Sequence, residues 1–160
     1  MKMLRIFLSL GLSSLLGSAA HAHDKNAPLN DEQKAFLSQY EAVRAALAAD
    51  DLVTTKTASA AIVTESKNAS VEPLSPEQNE RQALFVATVK KLAMADSLAA
   101  AREAFKLLSK RAIHYAEGKE GYYVANCPMV PKGEGNWVQI SKSVSNPYFG
   151  KSMLTCGSIK

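Results

Sequence analysis

Between Gly17 and Gly118 the chain contains no glycine. That stretch is instead rich in alanine, leucine, lysine, glutamate and glutamine, residues that lose little freedom on entering a helix. A run of this length and composition commits most of the chain to helix. The expected fold is mainly α: an antiparallel bundle of about four helices over residues 30–118, with a small irregular or β cap over residues 119–160. Together they form one domain spanning residues 23–160, a size that can bury a useful core without a staple.

Asn30 is the expected N-cap of the first helix, with Gln33 at the capping-box position. Phe36, Tyr40, Val43 and Leu47 then follow at helical spacing and define one face. Asp50 and Asp51 read as a stop and a fresh cap. A second helix, expected to run through Val63, is rich in threonine and alanine and has no clear apolar face. "NASVEPLSP" (Asn68 to Pro76) is a break carrying two prolines. Ser75, Pro76 and Gln78 form the next start signal, and Phe85, Thr88, Val89 and Leu92 share its buried side. Asp96 is the expected cap of the fourth helix. There Leu98, Ala101, Phe105, Leu108, Ala112 and Tyr115 alternate at spacings of three and four, the seam of an antiparallel bundle. Gly118 ends it.

The N-terminus reads as a cleavable leader. Lys2 and Arg5 precede the apolar run "IFLSLGLSSLLG", and Ala20-His21-Ala22 offers a small-x-small cleavage site. Residues 1–22 are therefore assigned as a signal peptide, with the mature chain starting at His23. The run is short for a membrane span, so no stable membrane anchor is expected after cleavage, and the expected location is periplasmic. Without Lys2 and Arg5, 17 basic residues face 15 acidic ones. A balance this close to neutral gives no reason to expect a nucleic-acid partner.

After Gly118 the composition changes. "YYVANC" and "NWVQIS" read as strands joined by the turn-forming "PMVPKGEG", and "SNPYFGKS" reads as a turn. Both cysteines of the chain, Cys127 and Cys156, lie in this region, each with a methionine nearby, Met129 and Met153. The segments "CPM", "GNWVQI" and "NPYFGKSMLTCG" resemble a small bacterial family described as a domain of unknown function. That family occurs as short secreted proteins and as the C-terminal extension of periplasmic adaptor subunits of copper/silver efflux pumps. The resemblance is densest from Tyr122 to Gly157, while the helical part matches in layout only. It implies a periplasmic role tied to heavy metals and an efflux-pump adaptor subunit as partner. It also places the family's cysteine and methionine pairs at Cys127, Met129, Met153 and Cys156, the candidate metal-site residues. It implies no catalytic activity.

The side-chain chemistry of these four residues can be read independently. Thiolate and thioether are soft donors that favour Cu(I) or Ag(I) over hard cations. Methionine is not a usual zinc ligand, and calcium or magnesium would need an oxygen cluster. Two plainer readings stay open. In a disulfide-permitting compartment, Cys127 and Cys156 can bridge, closing a loop of about thirty residues and contributing ~3 kcal/mol in the chain-entropy account. Met129 and Met153 can fill gaps in a core, and Trp137, Tyr148 and Phe149 can be packing residues. His114, near the end of the fourth helix, could supply an imidazole or interact with the helix dipole. His23 with its free amine could chelate Cu(II), or simply fray.

The sequence has no Glu-x-x-His, no His-x-x-x-His and no glycine-rich phosphate loop. A triad would have only His114 as its base. The chain is therefore not expected to be an enzyme. The expected function is Cu(I)/Ag(I) binding in copper or silver homeostasis or efflux. The alternative is a disulfide-stapled module that docks on an efflux adaptor or another envelope protein.

Overall fold

A computed structural model of the protein describes residues 27–68 and 75–160. The proposed leader (residues 1–22), His23 and most of the proline-containing break lie outside the described residues. Helix α1 (Asp31–Ala48) begins as expected. The Asn30 side chain accepts the Gln33 amide at 2.8 Å, and the Gln33 side chain accepts the Asn30 amide at 3.0 Å. Two otherwise orphaned helix donors are thus satisfied reciprocally. The chain leaves α1 through Asp50, which has φ of 60°, a left-handed conformation that aspartate tolerates better than most residues.

Asp51 caps helix α2 (Leu52–Asn68), accepting the Thr54 amide at 2.9 Å and its hydroxyl at 2.6 Å. The helix runs five residues past the expected end at Val63. Its face was hard to read because two of its buried positions are hydroxyls, Thr55 and Ser59, beside buried Ile62. Thr55 donates to the Asp51 carbonyl and Ser59 to the Thr55 carbonyl, both at 2.7 Å. Each hydroxyl is satisfied within its own helix and can be buried without an unmet donor.

Helix α3 (Pro76–Ala93) starts from the expected Ser75–Gln78 capping box with Pro76 at its first position. Helix α4 (Leu98–Ala116) is capped by Ser97 and not by Asp96. The Ser97 hydroxyl oxygen accepts the Ala100 amide at 3.3 Å and donates its own proton to Asp96 at 3.0 Å. The shorter side chain sits at the capping position and the carboxylate orients it. Gly118, at φ of 77°, turns the chain away.

The four helices pack in sequence as a bundle. Tyr40, Val43 and Leu47 are buried as expected, joined by Leu37, while Phe36 is half-buried. Phe85, Val89 and Leu92 of α3 and Ala101, Phe105, Leu108 and Ala112 of α4 complete the core. Thr88, Leu98 and Tyr115 lie at its edge.

The cap is a three-stranded antiparallel sheet ordered β2-β1-β3, with β1 at Tyr123–Asn126, β2 at Asn136–Gln139 and β3 at Ser158–Ile159. Ala125 of the central strand faces Trp137 on one side and Ile159 on the other. The first two strands match the expected hairpin, whereas β3, only two residues long, carries no sequence periodicity. Fully buried Trp137 lies edge-on to Tyr148, and Phe105 stacks on Tyr40 with ring centres 5.3 Å apart. The Tyr40 hydroxyl accepts the Val138 amide at 3.1 Å and meets the Ser109 hydroxyl at 3.1 Å. Burial, and then the neighbouring Tyr148, push the Tyr40 phenol far above its ordinary range. Arg44 donates to the Ser145 carbonyl at 2.8 Å and Arg102 to the Pro147 carbonyl at 3.0 Å. Cap and bundle are thereby joined by both apolar packing and hydrogen bonds.

Candidate metal centre

Cys127 directly follows β1. Its amide donates to the Gly135 carbonyl at 2.9 Å, continuing the hairpin, and its carbonyl accepts the Val130 amide at 3.3 Å. The second bond closes a four-residue turn with Pro128 and Met129 at its centre. Cys156 ends a second turn of the same size, its amide donating to the Met153 carbonyl at 3.0 Å. The side-chain amide of buried Asn146 donates to the Cys156 carbonyl at 2.8 Å. Asn146 also accepts the amides of Tyr148 at 2.8 Å and Phe149 at 3.3 Å. Gly157 then adopts φ of 130°, and a Cβ there would lie 2.7 Å from the Asn126 carbonyl oxygen and 2.9 Å from the Trp137 ring. The backbone after Cys156 can therefore press against β1 only as glycine.

These restraints set the two sulfurs face to face. Cys127 Sγ and Cys156 Sγ are 2.7 Å apart, the proximity that the metal reading and the disulfide reading both need. Cys127 is 1% exposed and Cys156 is half-buried. The hydrogen bond to Cys127, and after it desolvation, push the Cys156 thiol above its ordinary range. Two thiols in contact favour one shared negative charge over two, unless a cation or a covalent bond joins them.

Met129 and Met153 are held one turn from Cys127 and Cys156 by the two turns described above. Both face outward, at 59% and 37% exposed. They do not fill the core, which corrects that plainer reading. Trp137 and Tyr148 are buried packing residues and Phe149 is half-buried. His114 is exposed near the end of α4, with its ring 5.6 Å from that of Tyr115. Among the described residues, no group of three or more His, Cys, Asp or Glu side chains is placed to hold a metal ion. Any sulfur site here would consist of the cysteine pair with its flanking thioethers. Among the described residues, no helix is long and apolar enough to cross a membrane.

Sequence reasoning missed Asn146 as the residue that fixes Cys156. The available signal was an asparagine directly before a proline, a common turn start whose side chain bonds the backbone beyond it.

A family profile described as "Protein of unknown function (DUF3347)" matches residues 36–121, which is over half of the chain, and the chain belongs to that family. The matched region covers the helices from within α1 to the turn after α4. It ends before Tyr122, where the sequence resemblance was densest, and includes neither cysteine. No curated protein and no solved structure matches the chain.

Proposed function

We propose that this member of the DUF3347 family is a periplasmic Cu(I)- or Ag(I)-binding protein acting in copper or silver homeostasis or efflux. The observation that carries the reading is the convergence of the only two cysteines, distant in sequence, to 2.7 Å. As thiolates, Cys127 and Cys156 would supply two soft anionic donors, and Met129 and Met153 would add neutral thioethers from the solvent side. A periplasmic efflux-pump adaptor subunit is the proposed partner. The family match lies on the helices, so it does not itself support the sulfur site.

The same distance favours a second reading. Sulfurs already in contact need little movement to form a disulfide, and the protein would then be a stapled interaction module docking on an adaptor or other envelope protein. A thiol count and a Cu(I) competition titration against a chromophoric chelator under reducing conditions separate the two. Under the metal reading, wild type withdraws one equivalent, a Cys127→Ser, Cys156→Ser double variant withdraws none, and Met129→Leu binds more weakly with its fold intact. Binding releases thiol protons, so affinity falls as pH falls. The raised Cys156 thiol carries this dependence above the ordinary thiol range of about 8.5. Equal copper uptake by all three proteins would reject the site, and an intact disulfide in protein taken from the periplasm would favour the module.

A further inference from the structure

A cavity of about 470 Å³ opens at the end of the bundle where α1 begins and α4 ends, within the size range of small-molecule sites. Its walls are apolar and aromatic: Phe36, Ile62, Phe85 and Tyr115. Among the described residues, these walls hold one cation, Arg111. Its guanidinium carbon is 3.9 Å from the centre of the Phe85 ring, 5.9 Å from Phe36 and 5.7 Å from Tyr115. Its Nε donates to the Tyr115 hydroxyl at 3.1 Å and its Nη1 to the Gln82 side-chain oxygen at 3.3 Å. These bonds hold the planar group in place and use two of its five N–H donors.

Arg111 differs from the other arginines among the described residues. Arg44 pairs with Glu41, Arg81 with Glu77 and Arg102 with Asp50. Among the described residues, no carboxylate forms an ion pair with Arg111. A half-buried guanidinium against aromatic faces, without an anion, is an oriented anion acceptor. The cavity's own acids lie at its solvent rim. Asp31 is exposed and pairs with Lys34, exposed Glu65 accepts the Gln39 amide, and Glu32 is exposed. Rim charges are screened by water, yet they disfavour a ligand with several negative charges.

We propose that this cavity binds a small monocarboxylate with an apolar or aromatic body, its carboxylate on the remaining N–H edge of Arg111 and its body against the aromatic walls. Most of the lining falls within the family-matched helices. The site is independent of the cysteine pair and does not rest on the metal reading.

Nuclear magnetic resonance titration of the whole chain, following backbone amides and the Arg111 Nε–H signal, tests it. The probes are 3-phenylpropionate, 3-phenylpropylamine, acetate and phenylsuccinate. The expected result is saturable shifts at Arg111, Phe36 and Phe85 with 3-phenylpropionate. Acetate, which lacks the body, and phenylsuccinate, which carries a second charge, should each bind about tenfold more weakly or worse, and the amine should not bind. Arg111→Gln should weaken 3-phenylpropionate binding by at least about tenfold. If that variant does not fold, the acid-against-amine comparison on wild type decides alone. Equal binding of acid and amine, or no saturable shift with the acid up to about 10 mM, overturns the proposal.

Discussion

The bundle and the cap meet the same physical demand in opposite ways. In the four helices the backbone satisfies itself, so the inward side chains are free to be apolar, and the core is Leu37, Val43, Leu47, Val89, Leu92, Phe105 and their neighbours. The cap has strands of four, four and two residues, too little ladder to satisfy its backbone. Buried side-chain amides take over. Gln139 accepts from Trp137 Nε1 at 2.9 Å and the Ser145 amide at 3.2 Å, and donates to the Ser141 and Ser143 carbonyls at 2.6 and 2.8 Å. Asn146 does the same for the segment ending at Cys156. The lesson is that irregular chain can be as well ordered as helix, provided polar side chains replace the missing ladder partners.

The largest expected effect comes from the residue the two regions share. Phe105 is fully buried, stacked on Tyr40 and 5.7 Å from Tyr148. Phe105→Ala should destabilise by about 3–5 kcal/mol, with helical circular dichroism and Trp137 fluorescence lost in one transition. Two separate transitions would show that bundle and cap are not coupled through this ring. Next is Asn146→Ala, which leaves two amides and one carbonyl without their partner and should cost about 2–3 kcal/mol. Its near-ultraviolet signal from Trp137 should weaken while the helical signal persists. If both fell together at low denaturant, the distinction between the regions would be thermodynamically empty.

The smallest effect tests the polar joint between them. Asp50 accepts from Arg102 at 2.5 Å and from the Lys151 amide at 3.1 Å. Desolvation works against its ionised form, but the Lys151 amide and Arg102 outweigh it and hold the carboxyl below its usual range. A depressed carboxyl stabilises the fold above its unfolded value of about 3.9, and that contribution is lost as pH falls through the lower folded value. Asp50→Asn should therefore cost about 1 kcal/mol near neutrality, with the gap from wild type closing in acid. Chemical denaturation at a series of pH values measures it, and a pH-independent gap would remove the charge from the joint.

Much of the bundle was legible because its signals are local. Asn30–Gln33 and Ser75–Gln78 are complete within four residues, and the α4 seam repeats often enough to average out exceptions such as Leu98. Where two adjacent residues both qualified as a cap, as at Asp96 and Ser97, composition could not choose between them. Thr55 and Ser59 hid the inner face of α2 because a hydroxyl bonded within its own helix still counts as polar in any pattern. In the candidate site, the approach of Cys127 to Cys156 was legible as a shared requirement of the metal and disulfide readings. The role of Asn146, the pairing of β3 and the outward placement of Met129 and Met153 depend on tertiary contacts with no local period. Arg111 was not singled out, since most of its environment comes from two other helices, α1 and α3.

The strand order β2-β1-β3 also sets a sequence in time. Each helix packs beside its predecessor, so the bundle has all its parts once residue 116 has left the ribosome. The central strand β1 follows at once, but its second neighbour, Ser158–Ile159, is made only after β2 and the irregular segments that follow it. Until then Cys127 has no partner in reach and one edge of β1 stands open. The cysteine pair thus closes after the bundle, and whatever chemistry needs both sulfurs also reports that the cap has folded.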